Sequence, residues 1–304
     1  MKIAALFGGQ GSQYPGMGKN LREESAAARQ VYECAGDILG FDVAKASDQS
    51  SEEELAQTRM AQPVIFTHSL AAFSTARDHL PLPEATAGHS LGEYAALCCA
   101  GCFSIEDGFR IIAARAQVME EAAGSAPGAM VAILGSNPEA VETVCARYEN
   151  VWAVNYNLPN QTVISGETQG CLGAARELEK AGARTTRLAV SSAFHTPLME
   201  RAAQQLKEKV QDIAYAPPRW DFYSNLTGEK LVPEDFPDYF ARHMVSPVLF
   251  TRQVAAMAAN GVEACVEFGP KRTASTLSKK NCRSLAVFQV EDMETFKKTI
   301  EALA

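Results

Sequence analysis

The chain has 304 residues, 47% of them hydrophobic, which is enough for one large domain with a buried core and a second, smaller unit. Its formal net charge of −8 argues against a general nucleic-acid binder, so an acidic partner would need a local basic patch. Nothing approaches an apolar run long enough to cross a bilayer, and Met1-Lys2 leads through Ile3–Phe7 into a glycine-rich turn rather than a secretory signal. The expectation is a cytoplasmic protein that binds neither nucleic acid nor membrane.

Ile3–Phe7 reads as a short, buried strand. The stretch Gly8–Gly18 that follows carries enough glycine for close backbone approach to a ligand, yet neither phosphate motif fits it. Counting from Gly9 and Gly11, a dinucleotide fingerprint would need glycine at Tyr14. A P-loop would need glycine at Gln13 and a hydroxyl residue at Asn20. Gln62–Phe73 is an apolar helical stretch, with His68 inside it and His79 near its end.

Ala85–Tyr94 reads ATAGHSLGEY. Small residues lead into Gly88-His89-Ser90-Leu91-Gly92, and good helix formers follow, so a G-x-S-x-G pentapeptide falls between a strand and a helix. Such a turn exposes the Ser90 hydroxyl, and the helix start behind it offers free N–H groups to a developing oxyanion. Cys99 and Cys102 form a C-x-x-C, but no second Cys or His pair is nearby for zinc. The pair also closes a helix, whereas a redox pair opens one. All eight cysteines are therefore read as reduced, with Cys99 and Cys102 as packing residues.

Ser104-Ile105-Glu106-Asp107 has the form of a capping box and opens a helix to about Ala123. Ile105, Phe109, Ile112, Ala116 and Met119 make its core stripe, with Arg115 beside it. By spacing alone, Arg115 is read as a structural salt bridge slightly ahead of a ligand contact. Ala126-Pro127-Gly128 then breaks the pattern. Strands are expected at Met130–Leu134, Val151–Asn155, Thr162–Ser165 and Arg184–Val190, and helices at Pro138–Tyr148 and Glu167–Lys180. That β-α-β-β-α-β order is ferredoxin-like. The expected fold is α/β, with a mostly parallel sheet in a large, hydrolase-like domain (1–125 and 192–304) and an inserted ferredoxin-like subdomain (126–191). In the second part of the large domain, helices are expected at Pro197–Asp212, Val248–Ala259, after Gly269-Pro270 and from Glu294. Strands are expected at Asp221–Ser224, Cys265–Phe268 and Leu285–Val290.

A serine nucleophile needs a base, and there are five histidines. His68 and His79 suit packing or surface roles, His89 should point away from the Ser90 hydroxyl, and His243 sits in a C-terminal helix. His195 stands at a strand-to-helix junction where the two units meet, which is where clefts form. No acidic residue lies close to it in sequence, which leaves a backbone carbonyl to orient it.

These residues carry a resemblance. Phe7–Gln13 with Gly16-Met17-Gly18, Thr58–Pro63, Gly88–Glu93, Arg115 with Met119, Asn155-Tyr156-Asn157, Val163–Gly166, Ala193-Phe194-His195 and Glu267–Pro270 occur in that order. The chain resembles, over essentially its whole length, the malonyl-CoA:acyl-carrier-protein transacylases of fatty-acid synthesis and the related acyltransferase domains of polyketide synthases. It departs from their pattern at Gly8, where proline is common, at Phe268, and in a looser Met244–Phe250 stretch. The resemblance implies that Ser90 is the nucleophile, His195 the base, and Gln10 and Leu91 the backbone donors of the oxyanion hole. It makes Arg115 the clamp for the malonyl carboxylate, which reverses the salt-bridge reading, and Gln62 and Asn155 substrate contacts. It places the carbonyl that orients His195 near His243 or Met244. The partners it implies are malonyl-CoA and an acidic acyl carrier protein, with no metal or other cofactor. The rival readings are a polyketide-pathway acyltransferase, a serine thioester hydrolase and a non-catalytic carrier-binding scaffold.

Overall fold

In the computed structural model, which describes residues 1–125, 127–190 and 192–304, the apolar segments assemble into two separate sheets. The chain opens with β1 (Lys2–Phe7), followed by α1 (Lys19–Glu24), α2 (Ala26–Leu39), α3 (Val43–Gln49), α4 (Glu52–Ala56) and α5 (Thr58–Ala76). Then come β2 (Ala85–Gly88), α6 (Gly92–Cys99) and α7 (Ile105–Ser125). The next stretch holds β3 (Gly128–Leu134), α8 (Pro138–Cys145), β4 (Val151–Leu158), β5 (Gln161–Glu167), α9 (Thr168–Lys180) and β6 (Arg184–Arg187). A 3-10 turn at Pro197–Met199 leads into α10 (Glu200–Val210), β7 (Asp221–Tyr223), α11 (Phe236–Val245) and α12 (Phe250–Ala259). The chain finishes with β8 (Val262–Phe268), α13 (Thr273–Asn281), β9 (Ala286–Val290) and α14 (Met293–Leu303).

The large sheet has the order β7-β2-β1-β8-β9, and every pairing in it is parallel. Ala4, Ala5, Leu6 and Phe7 of its central strand are all fully buried, as expected of a sheet covered by helices on both faces. The small sheet is antiparallel with the order β4-β5-β3-β6. Its first two strands, β3 and β4, are joined by α8 yet separated in space by β5, which is the split arrangement of the ferredoxin-like unit. The expected boundaries of this unit at Ala126 and Ser191 lie outside the described residues.

Several expected elements shift for physical reasons. β6 stops at Arg187: Leu188 N–H still donates to Met130 O of β3 at 2.9 Å, but Leu188–Val190 line a cavity instead of extending the strand. α12 begins at Phe250 rather than Val248, because Val248 bridges to β4. Its N–H donates to Val154 O at 2.7 Å, and its carbonyl accepts from the N–H of Tyr156 at 2.9 Å. That bridge ties the edge of the small sheet to the large unit. The helices α1–α4 had no counterpart in the sequence reading. The eight cysteines are unpaired, and burial pushes the Cys102 thiol up to about 12. No described helix is long and apolar enough to cross a membrane, and no described cluster of His, Cys, Asp and Glu could hold a metal.

Candidate active site

The elbow sits at the carboxyl end of β2, beside the end of β1, where ligands gather in parallel α/β sheets. Its two glycines are dictated by contact. A Cβ on Gly88 would lie 2.1 Å from the Gly92 carbonyl carbon, and one on Gly92 would lie 2.2 Å from Phe7 O. Ser90 itself takes φ 52°, a left-handed conformation that costs a side-chain-bearing residue energy and turns its Oγ outward.

His195 also takes a positive φ, 62°, and brings its ring onto the serine: Ser90 Oγ and His195 Nε2 are 2.7 Å apart. On the other side of the ring, Nδ1 lies 3.2 Å from His243 O and 3.1 Å from Ser246 O. Carbonyls only accept, so Nδ1 carries the proton, and Nε2 is left to accept from the Ser90 hydroxyl. Burial pushes the His195 imidazole down to about 3, assisted by the nearby Arg115 charge and by His89, against the two carbonyl bonds. The ring is therefore neutral at physiological pH, as a base must be. His89 is turned away, its Nε2 donating to Asn157 Oδ1 at 2.7 Å.

A cavity of about 170 Å³ opens over this pair, bordered by Gln10, Leu91, Arg115 and Asn155. Met119, Met130, Leu188, Val190 and Phe194 form its apolar wall, much of it from the small unit. Arg115 is 2% exposed, and no carboxylate lies within ion-pair distance of it among the described residues. Its guanidinium stands 5.0 Å from the Tyr94 ring centroid, and its Nε is buried without a partner. The structural salt bridge is thus absent, and a buried cation without a counter-ion faces the cavity, a costly arrangement unless an anion arrives. Neither Leu91 N–H nor Gln10 N–H is engaged by another described residue. The buried Asn155 Oδ1 is also without a partner. Gln62 lies behind the wall, fully buried, with Nε2 on Met119 Sδ at 3.2 Å. A larger groove of about 860 Å³ lies among α1, α2 and α3, where Arg22 pairs with Asp48 at 2.7 Å and Arg29 donates to the Arg22 carbonyl at 2.8 Å.

The model of the acyl transferase domain matches residues 5–298. The malonyl CoA-acyl carrier protein transacylase of Bacillus subtilis (strain 168) is 36% identical over 308 aligned positions, covering 99% of this chain and 97% of that protein. Its counterpart in Haemophilus influenzae is 35% identical, covering 99% of each. Among solved structures, the malonyl-CoA:acyl carrier protein transacylase of Xanthomonas oryzae pv. oryzae superposes with a TM-score of 0.95 at 32% identity and full coverage of both chains. A type II polyketide synthase acyl-carrier protein in complex with its malonyl-transacylase gives 0.94 at 31% identity, covering 99% of this chain and 100% of that one. The chain belongs to the malonyl-CoA:acyl-carrier-protein transacylase family.

The sequence reading missed a buried polar network behind the elbow of this family member. Asn225 Oδ1 accepts from Ser90 N–H at 2.7 Å, and its Nδ2 donates to Gly88 O at 2.6 Å. Its own N–H donates to Glu93 Oε2 at 2.6 Å, while Tyr239 donates to Glu93 Oε1. Burial raises the Glu93 carboxyl to about 8, against those two bonds and the Arg115 charge. The signal for Asn225 was its place just beyond the expected Asp221–Ser224 strand. Only the pairing of β7 with β2, Tyr223 opposite Ala87, brings it to the elbow.

Proposed function

We propose that this chain transfers a malonyl group from malonyl-CoA to the phosphopantetheine thiol of an acyl carrier protein, through an ester on Ser90. The carrying observation is the combination of a serine hydroxyl 2.7 Å from a neutral imidazole with an unpaired, buried guanidinium in the same cavity. In the first half-reaction the Ser90 hydroxyl gives its proton to His195 Nε2 as Oγ bonds to the thioester carbonyl carbon. The carbonyl oxygen takes up negative charge, and the N–H groups of Leu91 and Gln10 receive it. The carbon–sulfur bond then breaks, His195 returns its proton to the departing sulfur, and free CoA leaves. In the second half, the carrier's thiol gives its proton to His195 and its sulfur attacks the ester, and Ser90 recovers the proton.

Arg115 holds the free carboxylate of the malonyl group in a forked pair, with Asn155 as a further polar contact and Gln62 supporting the wall through Met119. Binding that carboxylate offsets the guanidinium charge that keeps the His195 pKa low, so the base strengthens as the substrate arrives. The proposal includes action in the cytoplasm and a two-part chain, with 126–191 as a unit inserted between 1–125 and 192–304. It is tested by intact-mass measurement after exposure to malonyl-CoA without acceptor. A malonyl adduct that is absent from Ser90→Ala is expected. An adduct persisting in that variant removes Ser90 as nucleophile.

A further inference from the structure

We infer that Asn225 is a positioning residue for acylation: its side-chain amide clips the elbow shut and fixes which backbone N–H is left for the oxyanion. The inference rests on the acyltransferase reading above. Asn225 is fully buried and does not border the cavity, so it acts only through its neighbours. Across one tight turn it accepts from Ser90 N–H at 2.7 Å and donates to Gly88 O at 2.6 Å. A primary amide is the neutral side-chain group that offers an acceptor and a donor side by side in this way. The two bonds bracket His89 and fix the peptide that leads into Ser90, whose φ of 52° accompanies an Oγ held 2.7 Å from His195 Nε2.

With Ser90 N–H occupied, Leu91 N–H is the elbow donor left facing the reacting carbonyl. The clip is itself anchored, since Asn225 N–H donates to Glu93 Oε2 at 2.6 Å and its carbonyl accepts from Leu249 N–H at 3.0 Å. It also reaches the base: His243 Nε2 lies 3.4 Å from Asn225 Oδ1, and the His243 carbonyl is one of the two that hold His195 Nδ1. One amide therefore keeps the nucleophile in register with the residue that orients its base.

The test compares Ser90 malonylation in the wild type, Asn225→Ala and Asn225→Asp, as kcat and KM against pH, with thermal unfolding alongside. A protonated carboxyl copies the amide, accepting from Ser90 N–H and donating to Gly88 O, whereas the ionised form repels that carbonyl. The titratable groups facing position 225 are Glu93 from α6 and Tyr239 and His243 from α11, with His195 and the Arg115 charge beyond them. Asn225→Ala is expected to lose roughly tenfold to a hundredfold in kcat at every pH, with KM for malonyl-CoA changed less than about twofold. Asn225→Asp is expected to regain activity, relative to the wild type, as the pH is lowered. If the alanine variant does not fold, Asn225→Ser replaces it, with the same loss and no acid recovery. Equal pH profiles in the aspartate and alanine variants, or a loss confined to KM, overturn the positioning role. A wild type that forms no Ser90 adduct overturns the acyltransferase reading instead, so the two failures are distinguishable.

Discussion

Arg115 carries the sharpest expectation at the scale of single residues. It has no carboxylate to lose, so Arg115→Ala should leave thermal unfolding nearly unchanged. It should weaken malonyl transfer by a charge-assisted contact of about 1.5–3 kcal/mol. Acetyl-CoA, whose acyl group has no free carboxylate, should react no worse. A variant that unfolds at lower temperature yet keeps its malonyl-over-acetyl preference would make Arg115 structural. His195→Ala should slow acylation by roughly two to four orders of magnitude, and near-normal burst kinetics would exclude it as the base. Because burial and Arg115 hold His195 down at about 3, wild-type acylation should lack the fall near pH 6.5 that an ordinary imidazole gives on acidification. In Arg115→Ala one of those two causes is gone, so with acetyl-CoA the acid limb should move up towards that value. An unmoved limb would mean that burial, with His89, sets the base without Arg115.

The element with the most to report is α5, buried along almost its whole length. His68 lies in it with neither ring nitrogen bonded, and burial pushes its imidazole down to about 4. The folded state refuses a proton that the unfolded chain accepts below about pH 6.5. Stability is therefore full above that pH and falls as the pH drops from there to about 4, by up to about 1.4 kcal/mol per unit for this one group. His68→Leu should make the acid slope of unfolding free energy shallower without flattening it, since His195 and His243 are held neutral in the same way. An unchanged slope in urea titrations across that range would show that the unfolded chain keeps His68 equally buried. The apolar run Gln62–Phe73 announced this helix. Of the helices before it, α1, α3 and α4 are too short to show a period, whereas the buried face of α2 (Ala28, Val31, Tyr32, Ala35) was a legible signal that the sequence reading passed over.

At the scale of the whole molecule, the basic residues after Gly269-Pro270 are the candidate surface for an acidic carrier protein, to be tested against a merely solvated face. Lys279 is committed to the fold, its Nζ donating to the carbonyls of Arg283 and Leu285 at 2.8 Å each, so reversing its charge would cost stability. Lys280 is exposed, and Lys271 reaches Gly11 O at 3.4 Å on the border of the cavity. These two are the cleaner probes. The double change Lys271→Glu with Lys280→Glu should raise KM for an acidic carrier protein at low salt and leave Ser90 malonylation intact. Carrier kinetics indifferent to both the change and the salt would make these charges a solvated face.

The sequence by itself determined what local chemistry can encode. The strand, elbow and helix around Ser90 are contiguous, and the βαββαβ order of the small unit follows from periodicity and turns. The identity of His195 as the base candidate needed only its place at a junction and the poor fit of the other histidines. Tertiary structure decided everything that depends on distance across the chain. Arg115 could be read as a salt bridge or a ligand site until no carboxylate among the described residues proved to lie within ion-pair distance of it, because partner and absence of partner look alike along a helix. Gln62 looked like a pocket residue but stands behind Met119, since helical spacing fixes a face and not its depth. Asn225 showed only its place just beyond an expected strand. Its bonds to Gly88 and Ser90 cross more than a hundred residues, and they exist because β7 pairs with β2 in one particular register.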